Sequence, residues 1–226
     1  MKSIKTAHLV MILLTFIAVE MALYLTFLYA PTEKIMGDVQ RIFYFHVSAA
    51  WASFLAFFFV FIASIAFLRT GKAHWDRLAA SAAEIGILFI SIVLLTGPLW
   101  AKPVWGVYWT WDARLTTSLV LWLIYIAYLM VRSYTTDAER GAKFAAVFGI
   151  IGFIDVPVVY MSIRWWRTLH PAPVIAGGEG SGLAPEMLHT LLFNLFAFSS
   201  LLITLLILSY RISTLEQRVQ ALKHHS

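Results

Sequence analysis

The sequence predicts an all-α integral membrane protein of six transmembrane helices, with both termini cytoplasmic and a tryptophan-rich outer loop between helices three and four. Three observations carry this. The 226 residues are 61% hydrophobic, 13% charged and have a mean hydropathy of +0.80, whereas soluble domains run near about 25% charged residues. Six apolar stretches reach spanning length, about 20 residues at 1.5 Å rise each. Basic residues also alternate in density from one connection to the next, as the two sides of a membrane require.

The spans fall near 8–29, 44–68, 78–99, 115–132, 143–162 and 187–210, and their short connections make residues 1–226 a single membrane domain. The opening MKSIKTAHLVMILL looks like a signal peptide, but its apolar run continues to Tyr29 without a small-residue cleavage site. That is too long for a signal core, so a retained first helix is expected. GGEGSG at 177–182 reads as a flexible stretch within the longest connection. After Ser209, apolar residues at Ile212, Leu215, Val219 and Leu222 have helical spacing and predict an amphipathic extension of helix six.

Orientation follows from the lysines and arginines. One side collects Lys2, Lys5, Arg69, Lys72, Arg77, Arg132, Arg140, Lys143, Arg211, Arg218 and Lys223. The other collects only Lys34, Arg41, Lys102, Arg114, Arg164 and Arg167. The richer side is expected in the cytoplasm, which turns residues 100–116 outward. The net charge of +5 reflects these basic loops and carries no nucleic-acid reading. With no cysteine in the chain, disulfides, thiolate-bound metals, iron–sulfur clusters and covalent CxxCH haem attachment within it are excluded.

The outward stretch reads WAKPVWGVYWTWDARLT, with Trp100, Trp105, Trp109, Trp111 and Tyr108 close together beside Lys102, Asp112 and Arg114. Interfacial tryptophan belts occupy both membrane surfaces. Here Trp165 and Trp166 join those four on the outer side, while only Trp75 lies in an inner connection. Such asymmetry points to a one-sided site. Two histidines flank it: His46 in RIFYFHVSAAW at the mouth of helix two, and His170 in IRWWRTLHPAP. Neutral imidazoles are common axial ligands of haem iron, and a porphyrin is a flat apolar disc that stacks on aromatic rings. Its propionates seek cations, for which Arg41, Lys102, Arg114, Arg164 and Arg167 are candidates. Zinc is a second reading, with His189 or Asp112 supplying a further ligand.

WGVYWTWDARLT, from Trp105 to Thr116, resembles the WWD signature of the haem-handling proteins of cytochrome c biogenesis, and most closely the CcmC family of the bacterial system I pathway. Every fixed position of W-G-x-x-W-x-W-D-x-R-L-T is met, and the resemblance covers nearly the whole chain. YFHVSAAW and RWWRTLH resemble the two histidine segments of the same family. The resemblance implies non-covalent haem b, with His46 and His170 as axial iron ligands. It also implies a cofactor-binding cradle of Trp100, Trp105, Gly106, Trp109, Trp111, Asp112, Arg114, Trp165, Trp166 and Arg41. It further implies haem delivery at the outer face of the bacterial inner membrane to the chaperone CcmE, in an ABC transporter complex with CcmA, CcmB and CcmD. No catalysis is expected of this chain; it lacks GxxxxGK[ST], in keeping with ATP hydrolysis by a partner.

Glu20, Glu84 and Asp155 fall inside the expected helices, where ionisable groups are costly and often functional. Glu84 is near enough to the inner surface to snorkel, and Asp155 with Pro157 suggests a bend in helix five. His8, His74, His224 and His225 lie on the inner side, away from the site. Two other classes compete with haem delivery. A b-type cytochrome that retains its haem for electron transfer would place bis-histidine pairs within the bundle. A permease would show interrupted helices and polar groups at mid-depth.

Overall fold

The computed structural model describes residues 2–171 and 182–224. Residues 177–181 of the expected flexible stretch, and His225, lie outside the described residues. Six helices account for almost everything that is described: α1 (Lys2–Tyr24), α2 (Ile42–Thr70), α3 (Ala73–Trp105), α4 (Ala113–Tyr134), α5 (Ala138–Trp165) and α6 (Pro185–His224). Each is long and apolar enough to cross a membrane. The chain is therefore a multi-pass, all-helical membrane protein.

The helix ends are written in the sequence. Gly71 and Gly106 adopt positive φ (66° and 78°) and return their N–H groups to Phe67 O and Lys102 O at 2.8 and 3.0 Å, closing α2 and α3. Asp112 caps α4 by accepting from Leu115 N at 3.0 Å, and Asp137 caps α5 by accepting from Glu139 N and Arg140 N. Pro185 occupies the first position of α6, where its missing N–H costs nothing. α1 passes into a π-helical turn at Leu25–Tyr29, closed by Ala30 N to Leu25 O at 2.8 Å, just before Pro31.

Several helices run a few residues past their expected bounds, with α3 starting at Ala73 and α5 at Ala138, and one extension bears on the site. Helix three was expected to stop at 99, but α3 continues through Pro98 and Pro103 to Trp105. Trp100 and Trp105 are thus helical residues, and only 106–112 links α3 to α4. A proline interrupts the hydrogen-bond ladder, yet it is tolerated where the freed carbonyl borders a cavity rather than lipid. Leu94, whose carbonyl Pro98 leaves unpaired, lines the cleft described below.

α2 and α3 form the most extensive contact, followed by α4 with α5, and α1 and α6 pack on the outside of this group. The α2–α3 seam is rich in small buried residues: Ala49, Ala52, Ala56 and Ala63 on α2, and Ala79, Ala82, Ala83 and Gly86 on α3. Small side chains let membrane helices approach closely when lipid offers no hydrophobic drive for association. A Cβ on Gly86 would lie 2.4 Å from Phe57 Cε1, and the Phe57 ring is already stacked 3.7 Å from that of Tyr125. α1 runs antiparallel to α6, joined by Thr15–Thr204 at 2.7 Å and by Asn194 Nδ2 to Thr26 Oγ1 at 3.0 Å. At the end of the bundle that holds the termini, Arg132 of α4 pairs with Asp76 of α3 through both guanidinium nitrogens.

Candidate functional site

The opposite end of the bundle carries the tryptophans and an open cleft between α2, α3, α4 and α5. Its walls are Trp100, Trp105 and Trp109, with Phe54, Ile90 and Val93 deeper down. His46, Arg114 and His170 reach the same cleft from three different segments. Sites for flat organic ligands have this character, an apolar concavity with a few placed polar groups.

His46 sits one turn into α2, against α3. Its Nδ1 lies 2.9 Å from Thr96 Oγ1, and its ring centroid lies 6.5 Å from that of Trp100. Gly97 of α3 faces the ring, where a Cβ would make ordinary contact with the imidazole Cε1 at 3.4 Å. His170 follows α5, with Nδ1 3.0 Å from the carbonyl oxygen of Pro171. That oxygen can only accept, so His170 Nδ1 carries the proton and Nε2 keeps its lone pair. Burial pushes the His170 imidazole down to about 4, helped by the nearby Arg114 charge, so it is neutral at ordinary pH.

Arg114 is fixed by donating from Nη1 to Val159 O at 2.8 Å and Tyr160 O at 3.2 Å, which ties α4 to α5 beneath the cleft. The indole N–H groups of Trp100 and Trp109 are buried without an acceptor among the described residues. A buried donor left unpaired costs roughly 1–3 kcal/mol, so these two favour a ligand that brings oxygen acceptors. The described residues hold no cluster of three or more His, Cys, Asp or Glu side chains. Zinc normally needs such a set; iron already held in four equatorial positions by a porphyrin needs only two axial imidazoles.

The sequence candidates thus divide into two groups. His46, Trp100, Trp105, Trp109, Arg114 and His170 come together in the cleft. Gly106 and Asp112 act one step away, as the helix stop and the helix cap that frame the link. Trp111 is 75% exposed and meets Trp109 edge-on at 5.7 Å, while Trp165 and Trp166 are 57% and 52% exposed and meet each other at 5.8 Å. Arg41 does not reach the cleft. Its guanidinium binds the carbonyls of Thr26 and Ala30 at the π-helical turn, the Thr32 hydroxyl and the Asp38 carboxylate. Lys102 folds onto Gly106 O at 2.8 Å and over the Tyr108 ring.

His189 does not line the cleft either. Glu20 is exposed on α1, Glu84 accepts from Ser209 Oγ at 3.5 Å, and Asp155 keeps one buried carboxylate oxygen without a partner among the described residues. Two contributors were missed by sequence reasoning, Thr96 and Gly97. Only their place one turn before Trp100 in the aromatic signature marks them out.

Comparison with known proteins gives the family. The family model described as CcmC, heme exporter protein C, matches residues 1–225. A heme exporter protein C of Bradyrhizobium diazoefficiens is 39% identical over 210 residues, covering 92% of this chain and 79% of the relative. A ccmC-like mitochondrial cytochrome c biosynthesis protein of Marchantia polymorpha is 37% identical over 79% of this chain and 76% of its own length. The heme exporter protein C of Escherichia coli K12 is 32% identical over 81% and 74% respectively. A match running from one end to the other of the six-helix bundle, cleft included, makes this chain a member of the CcmC family.

Proposed function

We propose that this protein is a haem-handling subunit of cytochrome c biogenesis, which holds non-covalent haem b as cargo in the aromatic cleft and passes it on without catalysis. The observation that carries the reading is the convergence of His46 and His170 on one cleft walled by Trp100, Trp105 and Trp109. In this reading the two imidazoles take the axial positions of the iron, and the indoles cover the ring faces and edges. Arg114 and the unpaired Trp100 and Trp109 N–H groups serve the propionates. Filling both axial sites leaves no open position for oxygen chemistry, which suits a holder better than an enzyme.

The excess of Lys and Arg at the opposite end supports a cleft on the outer, periplasmic side of the inner membrane. Trp111, which meets cleft-lining Trp109, and Trp165 and Trp166, where α5 ends on the same side, stand exposed, an aromatic surface suited to docking the haem chaperone CcmE. CcmA, CcmB and CcmD complete the transporter complex, with ATP hydrolysis in CcmA. Purified haem-loaded protein mixed with a soluble haem-acceptor domain tests the reading. Transfer of the Soret absorbance to the acceptor fraction is the expected result. A haem that cycles between oxidation states but never leaves would support a b-type cytochrome instead. Purification without any Soret band from haem-replete cells would contradict both.

A further inference from the structure

We propose that Thr96 is a positioning residue of the cleft: its hydroxyl fixes the proton of His46 on Nδ1 and thereby leaves Nε2 bare to bind iron. Thr96 Oγ1 lies 2.7 Å from the Ile92 carbonyl oxygen, 3.4 Å from that of Val93 and 2.9 Å from His46 Nδ1. The hydroxyl has one proton and two lone pairs. Both carbonyls can only accept, and the 2.7 Å approach to Ile92 is a donated bond typical of a helical threonine. The reverse arrangement, with the hydroxyl proton on His46, would set two oxygen lone pairs against each other 2.7 Å apart. Thr96 therefore accepts from His46, and His46 must be the Nδ1–H tautomer.

The surrounding groups hold the ring in that bond. The imidazole lies against α3 at Gly97, and the Trp100 ring closes one side of it. His170 reaches the same tautomer by a different device, the Pro171 carbonyl. Both candidate ligands then present Nε2, with Nδ1–H bound to an oxygen. Such outer hydrogen bonds orient metal-binding histidines and raise their basicity. The two acceptors are unequal: a hydroxyl oxygen shared with Ile92 is a weaker acceptor than the backbone carbonyl facing His170. Thr96 is thus the more adjustable of the two supports.

This inference rests on the haem reading for its purpose but not for its first test. Nitrogen-15 magnetic resonance of the haem-free, histidine-labelled protein, with His46 assigned by its loss in His46→Gln, reads the tautomer directly. A protonated Nδ1 and bare Nε2 are expected; a protonated Nε2 overturns the proposal whether or not haem ever binds. The second test measures haem affinity and reduction potential in Thr96→Ser and Thr96→Val. Serine should match the parent protein, while valine should weaken retention about 10–100-fold and move the potential upward, as a less basic imidazole stabilises ferric iron less. Unchanged affinity and potential in a folded Thr96→Val protein would overturn the role, and the serine variant and the nitrogen spectrum decide it should the valine variant not fold. Failure of the haem reading would be seen separately, as a parent protein with no bis-imidazole spectrum.

Discussion

The two ends of this bundle solve opposite problems. From mid-bundle towards the termini, α2, α3 and α4 pack closely: alanines and Gly86 bring the helices together, Phe57 stacks on Tyr125, and Arg132 meets Asp76 in a two-pronged ion pair. At the aromatic end the same helices part around an open cleft, and two indole N–H groups are left without acceptors. A membrane protein gains stability by closing such gaps and pairing such donors. The difference therefore locates where this chain gives up stability for ligand binding, and the packed end supplies the rigidity that holds His46 and Arg114 in place.

Several substitutions separate the two ends. Arg114→Leu should have the largest effect on the cleft, lowering haem retention about 10–100-fold, from the loss of a charge-assisted bond of about 1.5–3 kcal/mol, read by haem titration. Gly86→Ala should do the reverse. It forces a methyl into the Phe57–Tyr125 stack, costs about 1–3 kcal/mol of stability in a thermal melt, and leaves the spectrum of bound haem unchanged. A spectral change in Gly86→Ala with normal stability would erase the distinction between the ends. Arg41→Ala should cost about 1 kcal/mol by releasing the Thr26 and Ala30 carbonyls, with haem affinity within twofold of the parent protein. A larger loss of haem would return Arg41 to the site.

The pH dependence should be the gentlest. Burial lowers the folded-state His170 value to about 4 from an ordinary 6.5. The neutral form is thus favoured by folding at every pH above 6.5, and that advantage fades only as pH falls towards 4. Haem uptake followed from pH 8 to pH 4 should stay level to about pH 5 and then drop. A midpoint near 6.5 would mean that His170 is solvated or plays no part.

Much of this was legible in the sequence, for reasons that differ by residue. Six spans follow from hydropathy alone because a bilayer imposes their length. The tryptophans at 100, 105 and 109, together with Arg114, stand out because their side chains concentrate in one short outward stretch. Arg41 misled because charge and side were visible, but its partners were not. The π-helical turn that exposes the Thr26 and Ala30 carbonyls to it has no simple signal in LTFLY. The end of α3 misled because Pro98 and Pro103 normally argue against a continuing helix, and the cleft beside Leu94 accounts for the tolerance of Pro98. Thr96 was invisible because a threonine in an apolar helix usually just bonds back to its own carbonyls. Its second partner, His46, is 50 residues away.

The central claim is that His46 and His170 together grip one iron. Absorption and low-temperature electron paramagnetic resonance spectra of the parent protein, His46→Ala and His170→Ala test it most directly. The parent should give a low-spin bis-imidazole signature. Each alanine variant should lose it, turning high-spin or haem-free, and added imidazole should restore it. An unchanged bis-imidazole spectrum in both variants would contradict the account.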